Sequence, residues 1–283
     1  MLAIANNITT RNRKVSEALK LRPAESISQK AADRVKKERI DFLQELASDC
    51  IKAGADTLDI NLQQQYDEPE IMKFAIETVQ GAVDCQLCLS SNRADTLEAG
   101  LRACKRPPIV NYVSLDKEKL EEILPLIARY KAEVILSVIG SMALNGTEDI
   151  LKSAAVLVGA ANESGISNKR IIIDPGALHV TSDVGQRHTK TLLELLPALS
   201  EVFDPPIRTT CWINNVSAGA PRRLRPAINN TFLAMLAGVG LSSAFVDALN
   251  RETMRAVRLI RIFRDDVIYS DHDVELLAQA KPC

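Results

Sequence analysis

The amino-acid sequence predicts a (β/α)8 TIM barrel forming a single domain over residues 1–283, and three observations carry that prediction. Eight short apolar runs alternate with amphipathic stretches of helical period along the chain. Most of those runs are continuously apolar rather than alternating, the pattern of strands buried on both faces of a parallel sheet. No low-complexity linker, internal repeat or break in composition divides the chain. Eight such units in about 280 residues suit a closed barrel better than its alternative, a doubly wound open sheet, although periodicity does not show closure.

In chain order, LAIAN (2–6) is followed by a helical stretch at 31–53, and ADTLDI (55–60) by one at 68–82. CQLCLS (85–90) leads to 93–104, PIVNYV (108–113) to 116–131, and AEVILSVI (132–139) to 147–163. RIIIDP (170–175) stops at Pro175, which has no N–H to continue a ladder, and the next helix falls at 186–201. IRTTCWI (207–213) meets two asparagines before a helix at 221–238, whose entry Ser217, Gly219 and Pro221 supply. The glycines of LAGVGLSS (236–243) suit the C-terminal cap of that helix rather than a phosphate loop. SSAFVDA (242–248) and a helix at 251–264 complete the eight units.

Composition narrows the class. Hydrophobic residues at 46% and charged residues at 25% are ordinary for a globular chain. A net charge of −1 argues against nucleic acid or an acidic membrane surface as partner. Six scattered cysteines without a framework point to a reducing compartment, and the N-terminus lacks the order of a secretion signal. No apolar run approaches the roughly 18 residues of a membrane span. A cytoplasmic protein is expected.

Barrel sites lie at the C-terminal ends of the strands, so polar residues there carry weight. Those ends hold Asn6 and Asn7, then Asp59 and Asn61, then Ser90, Ser91 and Asn92, then Asn111, Asp174, and Asn214 with Asn215. Asp59 and Asn61, two apart, share one face of their strand. Amides, hydroxyls and two carboxylates suit a neutral heterocycle with many donors and acceptors. Asp174, before Pro175, is either a carboxylate that receives a ring edge with adjacent N–H and NH₂ groups or a turn cap. Because helix-entry chemistry is already present downstream, at least one of Asn214 and Asn215 is expected in the pocket.

Other signals are weaker. Cys85 and Cys88 form a CxxC, but residues three apart on a strand face opposite sides and no second pair follows; both read as buried and inert. His179, His188 and His272 have no metal-ligand or triad spacing, and no metal of the protein's own is expected. RRLR (222–225) is a solvated helix start or a contact for an acidic substrate tail or partner.

The stretch NNVSAGAPRRLRPAINNTFLAMLAGVGLSSAFVDALN (214–250) resembles pterin-binding methyltransferases acting on methyltetrahydrofolate and corrinoid proteins. LCLSSNRADTLEAGL (87–101), PPIVNYVSLD (107–116), IIIDPG (171–176) and ITTRNRK (8–14) match in order and spacing. The resemblance implies a homodimeric barrel that binds tetrahydrofolate or methyltetrahydrofolate as substrate and docks a partner protein carrying cobalamin. It implies that Asn111 and Asp174 hold the pterin edge, with Asp59, Asn61, Ser90, Asn92, Asn214 and Ser217 in the same binding set. Asn215 would lie at N5, where a preorganised amide stabilises the nitrogen during in-line methyl displacement. Ser90 stands where that family usually has Asp, and Ile4, Ala5 and Asn6 where it has Gly-Glu-Arg. Two alternatives accompany this reading: dihydropteroate-synthase chemistry on the same barrel, and a non-catalytic subunit that binds pterin or corrinoid protein.

Overall fold

The structure is a computed structural model that describes residues 1–20, 29–62, 66–139 and 146–270; His272 lies outside them. The strands are β1 (Leu2–Thr9), β2 (Thr57–Asn61), β3 (Gln86–Ser90), β4 (Ile109–Val113), β5 (Glu133–Ser137), β6 (Ile171–Asp174), β7 (Arg208–Thr209) and β8 (Ser243–Val246). The described helices are α1 (Arg13–Ala18), α2 (Gln29–Lys52), α3 (Pro69–Gln80), α4 (Ala94–Ala103), α5 (Lys117–Arg129), α6 (Thr147–Glu163), α7 (Asp183–Val202), α8 (Arg225–Gly238) and α9 (Arg251–Phe263). All strand pairs are parallel, in the order β7-β6-β5-β4-β3-β2-β1-β8. The sheet closes where Trp212 bridges Phe245 and the Phe245 N–H donates to the Cys211 carbonyl at 2.9 Å. The (β/α)8 barrel is therefore the fold.

Alternation along each strand sorts its side chains into two cores. Ala3, Leu58, Ile60, Leu87, Leu89, Val110, Val134, Leu136, Ile171 and Ile173 pack outward beneath the helices. Ile4, Cys88, Ile109, Ile135, Ile172 and Phe245 form a separate cluster inside the barrel. Trp212 packs on that inner cluster, its ring stacked on Phe245 with centroids 4.1 Å apart and planes 5° apart. Both faces of the strands are covered, which is why their sequences read as unbroken apolar runs. Cys85 joins the outer core and Cys88 the inner one, and burial pushes both thiols up from their ordinary range.

Three elements differ from the sequence reading. β1 runs to Thr9 rather than stopping at residue 6, because a register shift between Ala5 and Ile8 lets Ile8 and Thr9 pair with Ile60 and Asn61. A short helix α1 follows, capped by the Asn12 side chain, which accepts from the Lys14 N–H at 3.0 Å. β7 spans only Arg208–Thr209. Next to it, hydroxyls take the place of ladder bonds: Thr209 N–H donates to Ser242 Oγ at 3.2 Å and Ser243 Oγ donates to Thr209 O at 3.1 Å. The chain then turns into a 3₁₀ segment at Ile213–Ser217, so Asn214 and Asn215 sit on a turn and not on a strand. Pro221 precedes a second such turn, Arg222–Leu224, and the proline at the start of α8 is Pro226.

Candidate functional site

Side-chain alternation places one inward residue near the top of each of the five strands β2 to β6, two positions above the inner layer. Those residues are Asn61 above Asp59, Ser90 above Cys88, Asn111 above Ile109, Ser137 above Ile135, and Asp174 above Ile172. Parallel pairing sets them in rows, with Asn61 opposite Ser90, Ser90 opposite Asn111, and Ser137 opposite Asp174. The barrel interior thus changes from apolar to polar over one step of each strand. Above the polar row lies a cavity of about 610 Å³, within the range that holds a small heterocyclic ligand.

Asn61, Ser90, Asn92, Asn111, Asp174 and Asn215 all line this cavity. The Asp174 Oδ1 accepts from the Gly176 N–H at 2.8 Å, and among the described residues nothing donates to Oδ2. The carboxylate therefore closes its own turn and also belongs to the cavity wall. Burial pushes it from its ordinary value of 3.8 up to about 7, with the Gly176 N–H opposing the rise. Gly176 makes this geometry possible: its φ is +70°, and an added Cβ would fall 1.6 Å from Ile139 Cδ1. Its carbonyl accepts from Nε2 of buried His188 at 3.0 Å, which ties that ring into the core, and burial lowers its pKa from the ordinary value.

Asn111 donates through Nδ2 to Ser90 Oγ at 2.7 Å, while its Oδ1 is buried and has no partner among the described residues. Ser90 Oγ in turn donates to Asp59 Oδ1 at 2.6 Å, and Asn61 Nδ2 donates to Asp59 Oδ2 at 3.2 Å. Asp59 is fully buried and stands outside the cavity wall, beneath Ser90 and Asn61. Burial raises its carboxyl from 3.8 to about 6, and hydrogen bonds from Ser90, Asn61 and Cys88 oppose the rise.

Asn214 and Ser217 lie outside the cavity wall. In a 3₁₀ turn successive side chains step by about 120°, so neighbours point in different directions. Asn215 reaches the cavity rim, whereas the Asn214 Oδ1 accepts from Asn229 Nδ2 on α8 at 3.0 Å. The Ser217 hydroxyl is buried and donates to the Asn214 carbonyl at 3.3 Å, holding the turn. The turn is tied to the neighbouring loop by the Val180 N–H, which donates to the Val216 carbonyl at 2.8 Å. Asn7, which reads in the sequence as a strand end but lies within β1, is a cross-link: its Nδ2 donates to Asp247 at 2.6 Å and its Oδ1 accepts from the Ala248 N–H at 2.9 Å.

Several wall residues carry no signal in sequence. Trp212 is the sole tryptophan and reads there only as a strand residue; one face of its ring lies on Phe245 and its side chain lines the cavity. Tyr112, Ser137, Thr9 and Arg11 line it as well. The two-residue spacing above the inner layer would have identified Ser137. Arg222 and Arg223 are exposed, and Arg225 Nε donates to the Ala220 carbonyl at 2.9 Å.

A buried polar rim over an apolar barrel, with an amide oxygen unpartnered among the described residues and a carboxylate among its residues, is a geometry suited to a ring that carries hydrogen-bond donors. The chain belongs to the pterin binding enzyme family, whose model matches residues 28–247. It is 27% identical over 221 residues to the methylcorrinoid:tetrahydrofolate methyltransferase of Eubacterium limosum, covering 76% of this chain and 79% of that protein. Among solved structures, dihydropteroate synthase of Xanthomonas albilineans with 4-aminobenzoic acid superimposes with a TM-score of 0.65 at 15% identity, covering 95% and 94% of the two chains. The Yersinia pestis synthase with a pterine-sulfa conjugate gives 0.61 at 16% identity, covering 80% and 90%. These structures share the fold. No described helix is long and apolar enough to cross a membrane.

Proposed function

We propose that this protein moves a methyl group between N5 of tetrahydrofolate and the cobalt of a corrinoid carried by a partner protein. The observation that carries this reading is the cavity wall: buried Asn111 Oδ1 and Asp174 offer acceptors to the donor edge of a pterin, and Asn215 stands at the rim. The relative from Eubacterium limosum, named for transfer from methylcorrinoid to tetrahydrofolate, supports the same chemistry.

The chain's own residues have little chemistry to perform in such a transfer. The corrinoid supplies a cobalt that takes up or gives up the methyl in one displacement, so no covalent enzyme adduct is required. When methyl leaves N5, the electron pair of the broken N–CH₃ bond stays on nitrogen, a poor leaving group unless a proton or hydrogen bond stabilises it. The Asn215 amide supplies that hydrogen bond, worth on the order of 2–4 kcal/mol by analogy with other preorganised donors. Asn111 and Asp174 hold the far edge of the ring, and donors from the pterin keep the Asp174 carboxyl ionised. The Trp212 ring, backed by Phe245, forms an apolar surface beside these polar groups. Homodimeric assembly in the cytoplasm completes this reading, and sedimentation of the purified protein measures the assembly.

The direct test mixes the protein with cob(I)alamin and methyltetrahydrofolate, and separately with methylcobalamin and tetrahydrofolate, and follows the corrinoid spectrum. Protein-dependent conversion in either direction is expected. No conversion in both directions, with folate bound, would leave a pterin-binding subunit as the correct description.

A further inference from the structure

Asp59 is a carboxylate set two residues below the polar rim, in a layer otherwise built from Ile4, Cys88, Ile109, Ile135, Ile172 and Phe245. It is 0% exposed and no part of it lines the cavity. A buried carboxylate is costly unless its oxygens are satisfied, and both oxygens here are. Ser90 Oγ donates to Oδ1 at 2.6 Å and Asn61 Nδ2 to Oδ2 at 3.2 Å. Such a group touches no ligand, so its effect on the site must pass through its donors.

Proton counting follows the effect upward. A serine hydroxyl has one proton, and a carboxylate has none to give. The 2.6 Å contact therefore takes the Ser90 proton toward Asp59, leaving Ser90 Oγ able only to accept from above. Asn111 is that neighbour, at 2.7 Å, and must present its NH₂ to Ser90. Its Oδ1 is then directed away from Ser90, buried and without a partner among the described residues, on a residue that lines the cavity. Asp174, the carboxylate at the rim itself, is also an acceptor.

We infer that Asp59 is a positioning residue that acts through the Ser90 hydroxyl to hold the Asn111 amide carbonyl toward the ligand, so that the cavity selects rings presenting N–H donors on that edge. The inference deepens the pterin reading and rests on it. It also accounts for Ser90, which passes the polarity of a carboxylate one layer below to an amide on the next strand.

Two substitutions separate this from a structural role. Ser90→Ala breaks the relay and frees the Asn111 amide to turn. Asp59→Asn reverses it: an asparagine amide accepts from Asn61 and donates to Ser90 Oγ, the Ser90 proton passes to Asn111 Oδ1, and the Asn111 NH₂ faces the ligand. The probes are 6-methylpterin and 6-methyllumazine, which carry at C2 an amino donor and a carbonyl acceptor respectively, with the adjacent N1 an acceptor in the first and an N–H in the second. Calorimetric titration of the full chain gives the ratio of their dissociation constants, which does not depend on how much of a variant is folded.

The wild type should prefer the pterin, since a site built around acceptors rejects an acceptor in place of a donor. That preference should fall by about tenfold in Ser90→Ala, fall further or invert in Asp59→Asn, and persist in Ser90→Thr, which keeps the hydroxyl. An unchanged preference in both Ser90→Ala and Asp59→Asn would overturn the relay while leaving the pterin site intact. Wild-type protein that binds neither compound nor tetrahydrofolate would overturn the pterin reading itself.

Discussion

Replacing Asp174 by asparagine should make the ligand-free protein more stable and its ligand complex weaker. In the folded state, burial holds this carboxyl at about 7 against an ordinary 3.8, with one backbone N–H in compensation. Between about pH 4 and about pH 7 the folded chain keeps a proton that the unfolded chain has lost. Stability from this group therefore falls as pH rises through that window, and the loss is complete above about pH 7. At about pH 8 the buried charge opposes folding by on the order of 4 kcal/mol, and at about pH 5, where the folded carboxyl is protonated, taking up that proton costs roughly 2 kcal/mol. Asparagine keeps the shape and can still accept from Gly176 N–H, but carries no charge. Urea denaturation of the apo protein should show Asp174→Asn gaining roughly 2–3 kcal/mol more at about pH 8 than at about pH 5. Calorimetry of the same variant should show tetrahydrofolate bound about tenfold more weakly or worse, because a charge-assisted acceptor is lost. A stability difference independent of pH, or an unchanged affinity, would refute the assignment of Asp174 as a strained carboxylate kept for its ligand.

Other substitutions probe the rim and its supports. Asn215→Ala should lower the methyl-transfer kcat by about 10²-fold or more while pterin affinity changes little; equal losses in both would make Asn215 a binding contact only. Asn214→Ala should leave kcat within about twofold and cost about 1 kcal/mol in a melt, since its side chain bonds Asn229 on α8 and not the cavity. Gly176→Ala should destabilise the protein by roughly 1–3 kcal/mol, because its φ of +70° and the 1.6 Å approach to Ile139 leave no room for a methyl group. The double variant with Ile139→Ala should recover part of that loss, which thermal denaturation measures. Trp212→Leu should weaken tetrahydrofolate binding, by about tenfold, through loss of the aromatic wall, with Trp212→Phe intermediate.

Much of the site is legible in the sequence because two periodicities expose it. Continuous apolar runs identify strands covered on both faces, and the step of two along such a strand picks out which residue faces inward at its top. Asn61, Ser90, Asn111 and Asp174 stand out as polar groups at strand ends, and the cavity wall contains all four. Ser137 does not, because the apolar run of its strand continues to residue 139, whereas β5 ends at Ser137 itself. Trp212 does not either: an aromatic residue in an apolar run reads as core, and only closure of β7 onto β8 places its ring over Phe245.

The sequence alone determined the alternation of strands and helices and the polar character of the rim, because each depends on local period and residue chemistry; closure into a barrel, which periodicity does not show, was decided by the contact of Cys211 and Trp212 with Phe245. Tertiary structure decided what separates residues of like chemistry. Asn214 and Asn215 are adjacent and chemically identical, yet a 3₁₀ turn sends one to α8 and the other to the cavity. Asp59 and Asp174 both read in the sequence as strand-end acids, yet one is buried under Ser90 and Asn61 while the other lines the cavity. Those differences arise from hydrogen bonds between residues far apart in the chain, 31 positions for Ser90 with Asp59 and 15 for Asn229 with Asn214, which no local pattern specifies.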